Sequence, residues 1–211
     1  MPPPKGNLPM KTLVFASGNR GKLKELQALF APLNIELRLQ SEFGIESAEE
    51  TGATFVENAL LKARHASMHS ELPALADDSG IAVDALNGRP GIFSARYAGA
   101  DASDSDNVSK LLTEMVDFKG HHRRCRFVCA MALLRHADDP WPLIALGSWQ
   151  GRLLEAPRGE QGFGYDPVFL VNGAQVSAAE LSPRIKNKVS HRAQAAQLMI
   201  RQIGASDLLD G

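Results

Sequence analysis

Apolar positions along this chain repeat with two different periods, and the alternation between them lays out its elements. The run "KTLVFA" at 11–16 has strand length, and Leu23, Leu26 and Phe30 then share one helical face, predicting a helix near 21–31. A second strand is expected near 35–40. In "TFVENALLKARHA", Thr54 stands three residues before Glu57, the spacing of a capping box that opens a helix. Strands are expected at about 73–77 and 81–85, on either side of "DDSG". Val108, Leu111, Leu112 and Met115 follow the i, i+3, i+4, i+7 rule of an amphipathic helix. Strands at 124–134 and 143–149 are joined only by the short "ADDPWP", which predicts an antiparallel pair. A long loop through "GFGYDPVF" leads to a last helix, from Ser190 to about Ile203. The pattern is that of an α/β chain with a mixed sheet, without repeats or an interdomain linker. Residues 11–211 read as a single domain.

Composition narrows the partners. With 23 basic and 24 acidic residues the formal charge is −1, so no global field draws nucleic acid or an anionic membrane. No run approaches the roughly 18 apolar residues of a membrane span. The opening "MPPPKGNLPM" has one lysine and no apolar h-region; it is expected to be a flexible tail over residues 1–10, not a secretory signal. Cys125 and Cys129 would share a strand face about 13 Å apart, too far to bridge. Buried free thiols and a reducing, cytoplasmic setting are expected.

Four stretches carry candidate chemistry. "FASGNRGKLKEL" places a small-residue turn before a helix, where backbone N–H groups and Lys22 form an anion site. It is no Walker loop, because two residues rather than four separate Gly18 from Gly21 and no hydroxyl follows Lys22. "SAEETG" and "LADDSG" supply Glu49, Glu50, Asp77 and Asp78. Exposed loop acids explain the first pair well. They explain the second badly, since two acids inside an apolar stretch are costly to bury without a partner or metal. Regular strand geometry puts Asp78 and Gly80 on one face and Asp77 on the other. "GFGYDPVF" offers flat faces at Phe163 and Tyr165 beside Asp166; a core aromatic turn explains it equally well. In "SPRIKNKVSHRAQ", Ser190 is a good N-cap, yet His191 and Arg192 then oppose the helix dipole. That placement makes more sense if an anion or carbonyl oxygen docks there. His65 and His69 are read as a surface pair, and "HHRRCR" as a solvated strand start.

Taken in order, "SGNRGKLKEL", "EETGATFVENALLKA", "ADDSGIAVDALNGRPGIFSARYAG", "GFGYDPVF" and "SHRAQA" resemble the inosine triphosphatase family in its bacterial form, over about residues 11–203. The resemblance implies hydrolysis of ITP, dITP and XTP to the monophosphate and pyrophosphate with Mg²⁺, by a homodimer. It also implies an elongated mixed sheet with flanking helices and two lobes around a central nucleotide-binding cleft. On it, Ser17, Gly18, Asn19, Arg20, Gly21 and Lys22 would hold the triphosphate, and Glu49 and Asp78 the metal. Asp78 would also be the proton acceptor, with Ser79 beside it on the substrate. Phe163, Gly164, Tyr165, Asp166, Lys186, His191 and Arg192 would bind the nucleoside, with Lys62 and Arg96 as further phosphate contacts. Arg184 stands where an acid is common and Lys188 where a small residue is frequent, so Lys186 is chosen by its distance from "SHR".

Overall fold

The computed structural model describes residues 11–206; the tail expected at residues 1–10 lies outside them. Its centre is a six-stranded mixed sheet of order β2-β1-β3-β4-β5-β6. The strands are β1 (Lys11–Phe15), β2 (Ile35–Leu39), β3 (Ala74–Val83), β4 (Arg124–Leu134), β5 (Leu143–Leu153) and β6 (Phe169–Val171). β1 runs parallel to both β2 and β3, while β3, β4, β5 and β6 pair antiparallel in turn. Helices α1 (Arg20–Phe30), α2 (Phe55–Ser70), α3 (Asp104–Glu114), α4 (Pro183–Val189) and α5 (His191–Gly204) flank it.

The side-chain period of two divides the core between the faces. Leu13, Phe15, Leu75 and Met131 pack with Leu26 and Phe30 of α1 and Met199 of α5. Their neighbours Val14, Ala74, Ala76 and Ala132 pack instead against Ala59, Ala63 and Ala66 of α2. A third cluster, with Phe127, Trp149 and Phe169, gathers at the far ends of the long strands with α3. α5 lies almost directly on β5, because a Cβ on Gly147 would come within 2.0 Å of the His191 carbonyl oxygen. That contact fixes the first turn of α5 against the sheet.

Besides β6, which the sequence reading leaves within the loop, three sequence expectations need correction. The two strands around "DDSG" are one continuous strand, β3, paired with β4 at every residue from Ala74 to Val83. Gly80 is there for close packing: a Cβ would meet Ser94 Oγ at 2.3 Å and the Gly91 carbonyl at 2.4 Å. The second correction is β5, which runs on to Leu153. The third is the "SPRIKNKV" stretch, which is not loop but α4, opened by Pro183 at a first-turn position where the missing N–H costs nothing. Cys125 and Cys129 are buried and free. Among the described residues no helix is long and apolar enough to cross a membrane.

Candidate active site

β3 outruns its parallel neighbour: β1 ends at Phe15, opposite Leu75, and the chain turns away into the loop before α1. Asp77 and Asp78 follow directly, where α1 and α2 leave the sheet on opposite faces. Such a point, outside the carboxyl end of a parallel strand, is where open α/β sheets form their ligand crevice. The strand alternation then sends the two carboxylates apart. Asp77 continues the face of Leu75 and meets cations from α1 and α5: Lys22 Nζ at 3.1 Å, and Arg192 Nε and Nη2 at 3.2 Å each. Asp78 continues the face of Ala76 and meets α2: Lys62 Nζ lies 2.8 Å from Oδ1, and Asn58 Nδ2 lies 3.5 Å from Oδ2.

Both carboxylates are buried, yet their acidities diverge. Burial works to raise Asp77, but the charges of Lys22, Arg192 and Lys62 overcome it and hold the carboxyl far below the usual range. Burial wins at Asp78, which sits above its ordinary value because Lys62 offsets only part of the cost and Glu50 adds repulsion. Adjacent groups pushed apart in this way mark divided roles. Lys62 itself stays charged: Asp78, Asp77 and Glu50 outweigh the burial that would neutralise it.

A pocket opens on the Asp77 side, lined by Asn19, Lys22, Ser79, Phe163, Tyr165, Asp166, Lys186, His191 and Arg192. Phe163 presents a half-buried ring, with Lys186 Nζ 4.9 Å and Arg192 Cζ 5.5 Å from its centroid. Tyr165 is more deeply set, its hydroxyl donating to the Ser94 carbonyl at 2.9 Å. Asp166 accepts from Lys186 Nζ at 2.6 Å and from the Phe163 N–H at 3.0 Å, pinning the aromatic turn to α4. His191 stacks on Phe127 with centroids 4.7 Å apart. Burial, with Arg192 and Lys186 nearby, drives its pKa well below the ordinary imidazole value, so the ring is neutral and does not oppose the helix dipole. Among the described residues its buried Nδ1 has no hydrogen-bond partner, the kind of group that a ligand or water completes.

The phosphate-loop residues stand beside this pocket. Asn19 caps α1 by accepting from the Lys22 N–H at 3.0 Å, and no acid occupies the first turn. Asn19 and Lys22 reach the lining, while Gly18, Arg20 and Gly21 are exposed and Ser17 is half-buried. Gly164 lies on the opposite wall, its N–H donating to Asp104 Oδ2 at 2.7 Å. Lys186 is buried in the site and Lys188 is exposed.

The expected residues thus fall into two groups. Ser79, the aromatic turn, Lys186, His191 and Arg192 surround the pocket on one face of β3. Asp78 and Lys62 lie on the other, with Glu50, which accepts from Lys62 Nζ at 2.9 Å and from Arg96 Nη1 at 2.6 Å. Glu50 is therefore engaged, contrary to its reading as an exposed loop acid. Glu49 is the exposed one and makes no ion pair among the described residues. Glu25 went unnoticed in the sequence: it accepts from Lys186 Nζ at 3.1 Å and Arg192 Nη1 at 2.7 Å, joining α1 to α4 and α5. Its only sequence signal is the i, i+3 spacing from Lys22. The buried guanidinium of Arg192 spends most of its donors on Asp77, Glu25 and Ser79.

This arrangement has known counterparts. The model of the Ham1 family matches residues 13–202. The chain belongs to the Ham1 family. It is 54% identical over 195 residues to the dITP/XTP pyrophosphatase of Methylococcus capsulatus, covering 92% of this chain and 97% of the relative. Identity to the dITP/XTP pyrophosphatase of Vibrio cholerae is 50% over 194 residues, with the same coverage. Among solved structures, a HAM1 protein from Coxiella burnetii superposes with a TM-score of 0.87 at 46% identity, over 93% of this chain and 100% of that one.

Proposed function

We propose that this member of the Ham1 family hydrolyses aberrant purine nucleoside triphosphates (dITP, XTP and ITP) to the monophosphate and pyrophosphate, clearing them from the nucleotide pool. The observation that carries the reading is the divided aspartate pair on β3, just past the point where β1 ends. Asp77 locks two helices around a base-sized aromatic pocket, and Asp78 lies across the strand among phosphate-binding cations. The relatives that it matches, named dITP/XTP pyrophosphatases, support it.

Mg²⁺ is the proposed cofactor. The described residues hold no cluster of three or more His, Cys, Asp or Glu side chains. Mg²⁺ does not demand one, since it takes one or two carboxylates and leaves other positions to water and substrate phosphates. Asp78 and Glu49, which makes no ion pair among the described residues, fit that donor set. When bound, the ion supplies charge neutralisation at the phosphate oxygens and the leaving pyrophosphate. Ser17 to Lys22 cradle the triphosphate with backbone N–H groups and an ammonium. Asp78 orients the water that attacks the α-phosphorus and accepts its proton. A carboxylate on a divalent cation is less basic, so metal binding is its firmer role.

Phe163 stacks on the purine, while Lys186, the neutral His191 and the one unspent Arg192 N–H are the donors for a 6-oxo group. Adenine presents a donor there, leaving donor against donor. The separate apolar clusters on either side of the pocket support two lobes, the buried free thiols support a reducing cytoplasm, and the family resemblance supports a homodimer. Incubation with dITP, XTP, dATP and dTTP plus Mg²⁺ tests the reading. Pyrophosphate from the first two alone is expected, and equal rates on dATP would sink the selectivity.

A further inference from the structure

Lys62 projects from the middle of α2 and its ammonium bridges two carboxylates, 2.8 Å from Asp78 Oδ1 and 2.9 Å from Glu50 Oε1. A divalent ion bound to Asp78 needs that same oxygen or its partner, and the chain has already placed a cation of its own there. The partner oxygen is more open, because Asn58 Nδ2 stands 3.5 Å away, a long contact. Glu50 is held on both sides, by Lys62 and by Arg96. It can retain the ammonium when Asp78 releases it.

We infer that Lys62 is an internal competitor of the divalent ion at Asp78, occupying the carboxylate in the nucleotide-free protein and yielding it when metal and triphosphate arrive together. The inference rests on the proposed metal role of Asp78. Its physical basis is that a buried carboxylate left without a cation is costly, so the free enzyme needs a resident counter-charge. The same counter-charge weakens the metal alone, because two cations then share one acid. A triphosphate relieves the conflict: its oxygens give the displaced ammonium a new partner within reach of Glu50. Lys62 is thus a positioning residue that couples metal loading to nucleotide loading.

The test uses Mn²⁺ alone on the nucleotide-free, full-length protein, with free Mn²⁺ read by electron paramagnetic resonance at fixed pH and ionic strength. Lys62→Met keeps the apolar stem and removes the charge; it is expected to bind Mn²⁺ about tenfold or more tightly than the parent. Lys62→Arg, which keeps the charge, is expected to match the parent. Adding Asp78→Asn to Lys62→Met is expected to abolish the gain. The tightening of Mn²⁺ by dITP should also be smaller in Lys62→Met than in the parent. Thermal melts check that each variant is folded. If Lys62→Met binds Mn²⁺ no better than the parent while Asp78→Asn lowers binding, the competition is wrong and the metal assignment stands. If Mn²⁺ binding ignores Asp78→Asn, the metal assignment falls and takes the inference with it.

Discussion

Asp77 and Asp78 are adjacent in sequence, similarly buried, and opposite in what their surroundings do to them. On the α1/α5 face, three cationic donors from two helices converge on Asp77, and Arg192 continues from it to Glu25 and Ser79. The network is closed, and its charges satisfy one another. On the α2 face a single lysine serves both Asp78 and Glu50, and the Asp78 carboxyl is left less acidic than normal. We propose that these identical side chains, one residue apart, serve structure on one face and chemistry on the other. The strand alternation alone decides which is which.

Breaking the reactive side should give the largest effect on turnover. Asp78→Asn removes the proposed metal ligand and proton acceptor, and kcat is expected to fall by about a thousandfold, equivalent to several kcal/mol of transition-state stabilisation. Its melting temperature should hold or rise, since Lys62 keeps Glu50 as partner. Near-normal turnover with Mg²⁺ would dissolve the contrast. The structural side should respond the other way. Asp77→Asn leaves Lys22 and the fully buried Arg192 short of a counter-charge, costing about 3–5 kcal/mol. A fall of roughly 10 °C in a thermal melt is expected for a domain of this size. A stable but inactive Asp77→Asn would reassign that residue to chemistry.

A smaller effect separates packing from either role. Gly80→Ala forces a Cβ into Ser94 and the Gly91 carbonyl, and overpacking of that kind costs about 1–3 kcal/mol. Chemical denaturation should show it as a lowered midpoint. The smallest effect concerns pH. His191 is depressed by burial, so its contribution is fully present above the unfolded value near ~6.5 and is lost as pH falls below it, by at most about 1.4 kcal/mol per unit. The raised carboxyls Asp78 and Asp166 act in the opposite direction at lower pH. Melts from about pH 7.5 to about 5.5 should fall more gently in His191→Gln than in the parent; an unchanged slope would mean the ring is not held neutral.

Much of this was legible in the chain, for local reasons. The helices at 21–31 and 190–203 and the antiparallel pair of long strands follow from period and turn length. Thr54 caps α2 as expected, accepting from the Glu57 N–H at 3.2 Å, although Glu57 returns to the Thr54 hydroxyl rather than the backbone. The failures share a cause. Ser79 and Gly80 carry turn chemistry, which splits β3 in the sequence; its continuous pairing with β4, and the Ser94 hydroxyl that accepts from the Ile81 N–H at 2.9 Å, come only with the fold. α4 was hidden because its signal is one proline among charges. Glu25 and Glu50 look like ordinary surface acids, and only tertiary contact with Lys186, Arg192, Lys62 and Arg96 gives them a role.

The central claim is that water attacks the α-phosphorus and pyrophosphate leaves intact. Turnover of dITP in ¹⁸O-labelled water, followed by mass spectrometry of both products, tests it most directly. The label is predicted in the deoxyinosine monophosphate and absent from the pyrophosphate. Label in pyrophosphate or orthophosphate would place the attack at another phosphorus and contradict the account.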